Sequence, residues 1–394
     1  MRDHSSAQPL LLDANLRVIF SITLMAMLGV ASVTPAFPRI STALDVTPEA
    51  VGWLISAFTV PGVFLAPVLG VAADRFGRKR ILVPSLLVFG LAGAACGLAR
   101  DFEVLLALRF LQGVGGAALG SLNVTLIGDL YDGGRRTTAF GYNAGVLSIG
   151  TAVYPAIGGA LALLAWYVPF FLPILAVPVA FFVLSVLKYP EPRSQTALGT
   201  YLRSALQLVR SGQLLLLFTT GVVIFILIYG AYLTFLPFVL ERLFGATPLG
   251  IGVVFAAASL ATAVGAFLVG KLAQLTSQRR LILIGFVLYS VTMGAIPLVE
   301  ALWLIVALAM AFGFANGITV PTVITLVAGT TSGEHRAIIM SVNGMVLRLG
   351  QTVGPLIAGL AYAWLGLGAA FWVCGGLALG MLIVLGIVEV KGER

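Results

Sequence analysis

Hydrophobic positions along this chain do not alternate with polar ones. They run on for about twenty residues or more, the length that crosses a bilayer as a helix, and stop at short polar clusters. The runs cover 17–38, 50–73, 81–99, 102–130, 137–164 and 166–187, then 213–239, 247–272, 280–299, 301–329, 337–365 and 367–388. Tilt accommodates the longer ones. The two-residue alternation of membrane barrel strands is missing, so twelve membrane-spanning helices are predicted. The first run is longer than the core of a cleaved leader and no cleavage site follows it, so it is read as a retained span.

Composition places these runs in lipid. Hydrophobic residues make up 60% of the chain and charged residues 10%, where a soluble domain carries about 25% charged residues. The net charge of +8 does not form one basic patch, so a nucleic-acid partner is not expected. Basic residues recur in clusters between runs, as the positive-inside rule expects. With both termini inside, 18 of the 23 Lys and Arg fall on the inner side. Arg39, Arg100 and Arg242 fall outside, and Arg109 and Arg348 lie within spans. All five tryptophans then fall near outer helix ends, where interfacial rings are expected. The predicted localisation is the cell (inner) membrane, with both termini cytoplasmic and the lipid bilayer as the obligatory partner. Cys96 and Cys374 sit inside apolar runs and read as packing residues. With His4 and His335 the only histidines, no metal site is expected, and no cofactor.

The chain also repeats itself. Shifted by 200, residues 121–160 match 321–360 at 12 of 40 positions, including Thr125/Thr325, Arg136/Arg336, Asn143/Asn343, Gly150/Gly350, Pro155/Pro355 and Gly159/Gly359. "TPEAVG" at 47–52 matches "TPLGIG" at 247–252. Two halves in the same orientation should be related by an axis along the membrane normal, with a substrate cleft between them. The predicted organisation is a tail (1–16), a six-helix bundle (17–187), a linker (188–212), a second six-helix bundle (213–388) and a tail (389–394). The later part of the linker is expected to form a short helix on the inner membrane surface.

Three stretches carry a family resemblance: "GVAADRFGRKR" (70–80), "LALRFLQGVGGAA" (106–118) and "GTAVYPAIGG" (150–159), the last repeated as "GQTVGPLIAG" (350–359). Together they resemble the signature loop, the fourth-span arginine motif and the exporter motif of the major facilitator superfamily. The twelve-span drug:proton antiporter branch is the most similar. Tyr154 departs from the exporter motif, which has glycine there. The fold implied is an all-α membrane protein with twelve transmembrane helices in two pseudo-symmetric six-helix bundles. In that family Asp74, Arg78 and Asp129, with Gly70 and Gly77, form a latch between the halves, Asp74 facing the start of span eleven near Ala337 to Ser341. The second copy carries Gln274 and Gly329 instead, so it keeps inner-face cations without the latch. Arg75, Lys79 and Arg80 read as topology signals. Gly150, Tyr154, Pro155, Gly159, Gly350, Gly354, Pro355 and Gly359 are expected at a hinge or seal between halves.

Other candidates come from the residues themselves. An arginine at a helix centre costs roughly 2.5–3.5 kcal/mol by insertion scales and should face protein or water. At about 100° per residue, Arg109, Gln112, Gly113, Gly116, Gly120 and Asn123 share one face, which either lines a cavity or packs a neighbour. Arg348 is a second buried cation, on the face of Pro355. Phe225, Tyr229 and Tyr232 form an aromatic stripe on span seven, to which Tyr154 and Phe312 add, and Asn316 lies on span ten. These groups make a substrate-cavity set of Arg109, Gln112, Asn123, Tyr229, Tyr232 and Asn316.

No Asp or Glu lies at mid-depth in any span, so proton coupling rests on the resemblance, with Asp129 as the candidate carrier. No phosphate-binding loop and no nucleophile–base pair occurs within the spans, which argues against direct ATP drive and against an enzyme. The expected function is alternating-access efflux of small hydrophobic or amphiphilic compounds by a monomer, coupled to proton influx. Alternatives are transport of an organic anion or polar metabolite, to which two arginines without a buried acid point, and a lipid flippase.

Overall fold

A computed structural model describes residues 10–189, 211–331 and 334–388. Twelve helices long and apolar enough to span a membrane account for nearly all of them. In the first half these are α1 (Ala14–Ala43), α2 (Pro48–Phe76), α3 (Arg78–Cys96), α4 (Phe102–Leu130), α5 (Gly133–Leu164) and α6 (Val168–Val186). In the second they are α7 (Gly212–Phe244), α8 (Pro248–Leu275), α9 (Gln278–Leu298), α10 (Leu302–Gly329), α11 (Glu334–Leu365) and α12 (Leu367–Ile387). The linker stretch 190–210, with its expected surface helix, and both outermost tails lie outside the described residues, as do the side chains of 334–337.

The helices begin and end where local chemistry satisfies their free backbone groups. The Asp13 carboxylate accepts from the Asn15 N–H at 2.9 Å, and that of Asp101 from Val104 at 3.0 Å. Pro48 and Pro248 open α2 and α8 at the position where a missing N–H costs nothing. Gly77 closes α2 at φ 103°, a conformation that side chains disfavour, so the chain reverses within one residue into α3. The apolar runs underestimate the helices at several ends. Thus α3 starts at Arg78 and α5 at Gly133, and α1 continues beyond Pro38 to Ala43 after a tight turn at Thr34–Ala36. Apolarity marks the hydrocarbon layer, whereas backbone hydrogen bonding carries helices on into the headgroup region.

Large apolar side chains such as Phe267 and Trp364 are more than three-quarters exposed, as befits a lipid-facing surface. Inside each half, small residues let helices touch. A Cβ on Gly113 of α4 would overlap the Phe58 carbonyl of α2, and one on Gly313 of α10 the Ala258 carbonyl of α8. Both residues of the second contact lie 200 positions after those of the first, so the sequence repeat is also a repeat of packing.

The halves meet along two seams, α2 with α11 and α5 with α8. Among the described residues, the closest backbone contacts lie in the half of each seam away from the basic loops. Gly52 faces Pro355, with its Cβ position 3.4 Å from Pro355 Cβ, and that of Gly359 lies 3.2 Å from Glu49 Cβ. The second seam is tighter, for there a Cβ on Gly252 would overlap the Pro155 carbonyl and one on Gly159 the Pro248 carbonyl. Ser56 Oγ donates to the Thr352 carbonyl at 2.8 Å and Ser259 Oγ to that of Thr151 at 3.0 Å. Toward the basic loops the seams part: Cβ atoms on Gly70, Gly141, Gly145, Gly270 or Gly344 would meet nothing within 4 Å. The cleft is closed on one side and open on the side of the basic loops.

The unequal seams predict unequal variants. Gly252→Ala must push the helices apart, whereas Gly52→Ala finds its nearest neighbour, a Thr234 methyl, at 3.0 Å. With Ser56→Cys as reporter, an impermeant maleimide added opposite the basic loops should react faster in Gly252→Ala than in Gly52→Ala. Equal rates would contradict the asymmetry.

Candidate functional site

The open cleft ends at a ceiling where the seams close, and Arg348 of α11 forms part of it. On α11 the sealing residues Thr352, Pro355 and Gly359 follow Arg348, and the uncontacted Gly344 precedes it. Its guanidinium crosses to the other half, where Nη2 donates to the Ala117 carbonyl of α4 at 3.3 Å. The side chain fits because α2 and α4 present Gly62 and Gly120 beneath it; a Cβ on Gly62 would overlap Nη1.

The other buried arginine has a different fate. Arg109 is 1% exposed and lies wholly within the first half. Its Nε donates to the Leu54 carbonyl at 3.2 Å and Nη1 to Gln112 Oε1 at 2.7 Å, and the guanidinium lies 4.7 Å from the Phe58 ring centre. Burial is thus offset by hydrogen bonds and a cation–π contact, which leaves Gln112 facing inward as well. The polar stripe of α4 divides along its length. Gly113 and Gly116 pack against Phe58, and Gly120 faces the cleft at Arg348. Asn123 donates through Nδ2 to Thr23 Oγ1 of α1, whose hydroxyl donates to Asn143 Oδ1 of α5. The structure therefore does not bring Arg109 and Gln112 to the cleft.

The aromatic stripe of α7 divides similarly. Phe225 and Tyr229 stack at 5.9 Å and remain part-exposed, with Phe225 packed against Gly350 of α11, two positions after Arg348. From Ile228 to Phe235 the helix widens to π geometry, and Thr234 Oγ1 donates to the Tyr229 carbonyl at 2.7 Å. Such widened turns recur at functional sites. Within this segment Tyr232 turns into the second half, 6% exposed and stacked 4.4 Å from Phe312. Asn316 accepts from Tyr289 Oη at 2.7 Å. Phe225 and Tyr229 thus stand with Arg348 near the ceiling, Tyr232 and Phe312 belong to the packed interior of the second half, and Asn316 stays part-exposed.

At the mouth of the cleft, Arg78 joins two carboxylates. Nη2 lies 2.7 Å from Asp129 Oδ2 and 3.0 Å from Asp74 Oδ1. Tyr189, after α6, donates to Asp129 Oδ2 at 2.6 Å, and its ring lies 5.3 Å from the Arg78 guanidinium. Burial first, then this hydrogen bond, pushes the Tyr189 phenol well above its ordinary range, so it stays a donor. Asp74, Arg78 and Asp129 belong to the first half, and Tyr189 to the start of the linker that follows it. The cluster keeps Arg78 4% exposed, while Asp74 and Asp129 stay over a third exposed toward the cleft mouth. The side chains of the expected partner region at the start of α11 lie partly outside the described residues. Gly70, one turn before Asp74, faces open space. Tyr189 had no sequence signal, because it stands 60 positions from Asp129 in a stretch that reads as linker.

Of the expected hinge or seal residues, Pro155, Gly159, Pro355 and Gly359 lie in the seams. Gly350 and Gly354 instead admit α7, their Cβ positions lying 2.6 Å from the Val222 carbonyl and 2.9 Å from the Gly230 nitrogen. In the first half Gly150 lies beside Leu24 and Tyr154. Tyr154 prevents the counterpart approach at its own level, and the approach moves one turn on, to Gly158, where a Cβ would overlap the Ser32 carbonyl of α1.

This architecture has relatives. "Multidrug resistance protein 2" of Bacillus subtilis is 24% identical over 88% of this chain and 88% of its own length. The "Bacillibactin exporter" of the same organism is 26% identical over 86% and 88%. The solved structure of the nucleoside transporter NupG superposes with a TM-score of 0.78 over 94% of this chain and 97% of that one, at 13% identity, and shares the fold. The family model of the Major Facilitator Superfamily matches residues 19–245 and 230–393. Matched along nearly its whole length, the chain belongs to the Major Facilitator Superfamily and is a transporter rather than an enzyme.

Proposed function

We propose that this transporter exports small amphiphilic compounds by alternating access, with the basic side facing the cytoplasm of a cell (inner) membrane and both termini on that side. The observation that carries the reading is the one-sided seam. Two pairs of helices seal one mouth with small residues and part at the other, leaving a cleft that a rocking motion would close and reopen. The basic loops border the open mouth, so under the positive-inside rule the cleft faces the cytoplasm here. The printed names of the two Bacillus subtilis relatives, a multidrug resistance protein and an exporter, support outward transport. Phe225 and Tyr229 give the ceiling a flat apolar wall suited to amphiphiles. In purified proteoliposomes tested with a panel of amphiphilic compounds, inside-out vesicles should accumulate substrate when a pH gradient is imposed. No transport of any compound, with or without the gradient, would contradict the reading.

Proton coupling is assigned to Asp129. Its carboxylate is exposed toward the mouth yet held by Arg78 and Tyr189, so a proton there would weaken the cluster that ties α4 to the end of α2. Asp129→Asn should abolish stimulation by a pH gradient while substrate exchange across the membrane persists. Undiminished stimulation would remove Asp129 from the mechanism. Asp74, Arg78, Gly70 and Gly77 are assigned to the gate at this mouth, since Gly70 leaves α2 free for the approach of the other half. The monomer is the proposed working unit.

A further inference from the structure

Arg348 has more hydrogen-bonding capacity than the protein uses. A guanidinium carries five N–H donors. Among the described residues, one of them finds a protein acceptor, the Ala117 carbonyl, and no carboxylate pairs with the side chain. Arg109, by contrast, is enclosed and partnered inside its own half. Of the two arginines within the membrane, Arg348 alone stands at the ceiling of the open cleft, where its side chain stays part-exposed.

The surroundings look built for this group. Two different helices of the opposite half lack a Cβ beneath it, at Gly62 and Gly120, and Phe225, stacked on Tyr229, packs against α11 at Gly350, two positions after Arg348. A cation with free donors, set beside a flat apolar wall at the end of a cleft, fits an oxyanion carried on an aromatic body.

We propose that Arg348, Phe225 and Tyr229 form an anion-binding subsite that takes the carboxylate or sulfonate of an aromatic organic anion. The anion engages the unused N–H donors and competes with the Ala117 carbonyl for Nη2, while its ring lies against Phe225 and Tyr229. This deepens the export reading by naming a substrate class, and it rests on that reading only in taking the cleft as accessible.

Equilibrium binding separates the two, because it requires no transport. The full chain in lipid nanodiscs is titrated with radiolabelled 1-naphthoate and with the neutral 1-naphthamide. Naphthoate should bind about tenfold or more tightly than the amide. Arg348→Gln should erase that preference by weakening naphthoate alone, leaving amide affinity within about twofold. Arg348→Lys, which keeps the charge without the planar fork, should retain a reduced preference, and it carries the test if Arg348→Gln does not yield folded protein. Equal binding of acid and amide by the parent protein, or an undiminished preference in Arg348→Gln, would overturn the proposal. Binding of dihexanoyl phosphatidate without binding of naphthoate would assign the oxyanion to a lipid headgroup and overturn the aromatic ligand. Loss of transport in proteoliposomes with anion preference intact would sink the export reading and leave the subsite standing.

Discussion

Backbone contact across the seams decides which side of this molecule is open. Helices in lipid gain no hydrophobic drive from meeting one another, so their association depends on close approach and on the hydrogen bonds that approach permits. Gly252 against the Pro155 carbonyl and Gly159 against the Pro248 carbonyl provide that approach for α5 and α8. The counterpart contacts of Gly52 and Gly359 hold α2 and α11 more loosely. Ser56 and Ser259 add hydrogen bonds at the same level. Below it the helices diverge, and the cleft, its ceiling and its charged mouth follow from that divergence.

The charges within the membrane are arranged around this geometry. Arg109 is bound into the first half by a carbonyl, a glutamine and an aromatic ring, so it stiffens the contact of α2 with α4 and takes no part in the cleft. Arg348 lies where the two halves touch and holds on to the opposite half through one carbonyl. The Arg78 cluster stands at the far end of the cleft and ties together elements of the first half. Its two carboxylates remain over a third exposed. Among the described residues, ceiling and mouth are thereby charged by different residues, one without an acid and the other with two.

Much of the fold was legible in the sequence because bilayer thickness sets run length and gene-scale duplication sets the 200-residue offset. The partner relations were harder to read. Gly52 and Gly252 look like copies of one another, as do Pro155 and Pro355, yet each glycine meets the proline of the opposite copy rather than anything in its own half. Helical periodicity put Arg109 on the same face as Gly120 but could not show that this face meets a neighbouring helix at one end and the cleft at the other. The aromatic stripe failed similarly at Tyr232, because the π segment of α7 changes the angular spacing that the stripe assumed. The missing glycine at Tyr154 proved a local matter: the close approach moved to Gly158. Tyr189 left no trace, since a contact across 60 positions depends on the fold and not on a motif.

The central claim is that the seams open and close in opposition around a fixed ceiling. The most direct measurement is electron–electron distance spectroscopy on two spin-labelled pairs in nanodiscs, Gly141 with Gly270 beside the basic loops and Thr42 with Leu243 on the opposite side. Addition of a transported compound should shorten the first distance and lengthen the second. Distances that stay fixed, or that change together in the same direction, would contradict alternating access.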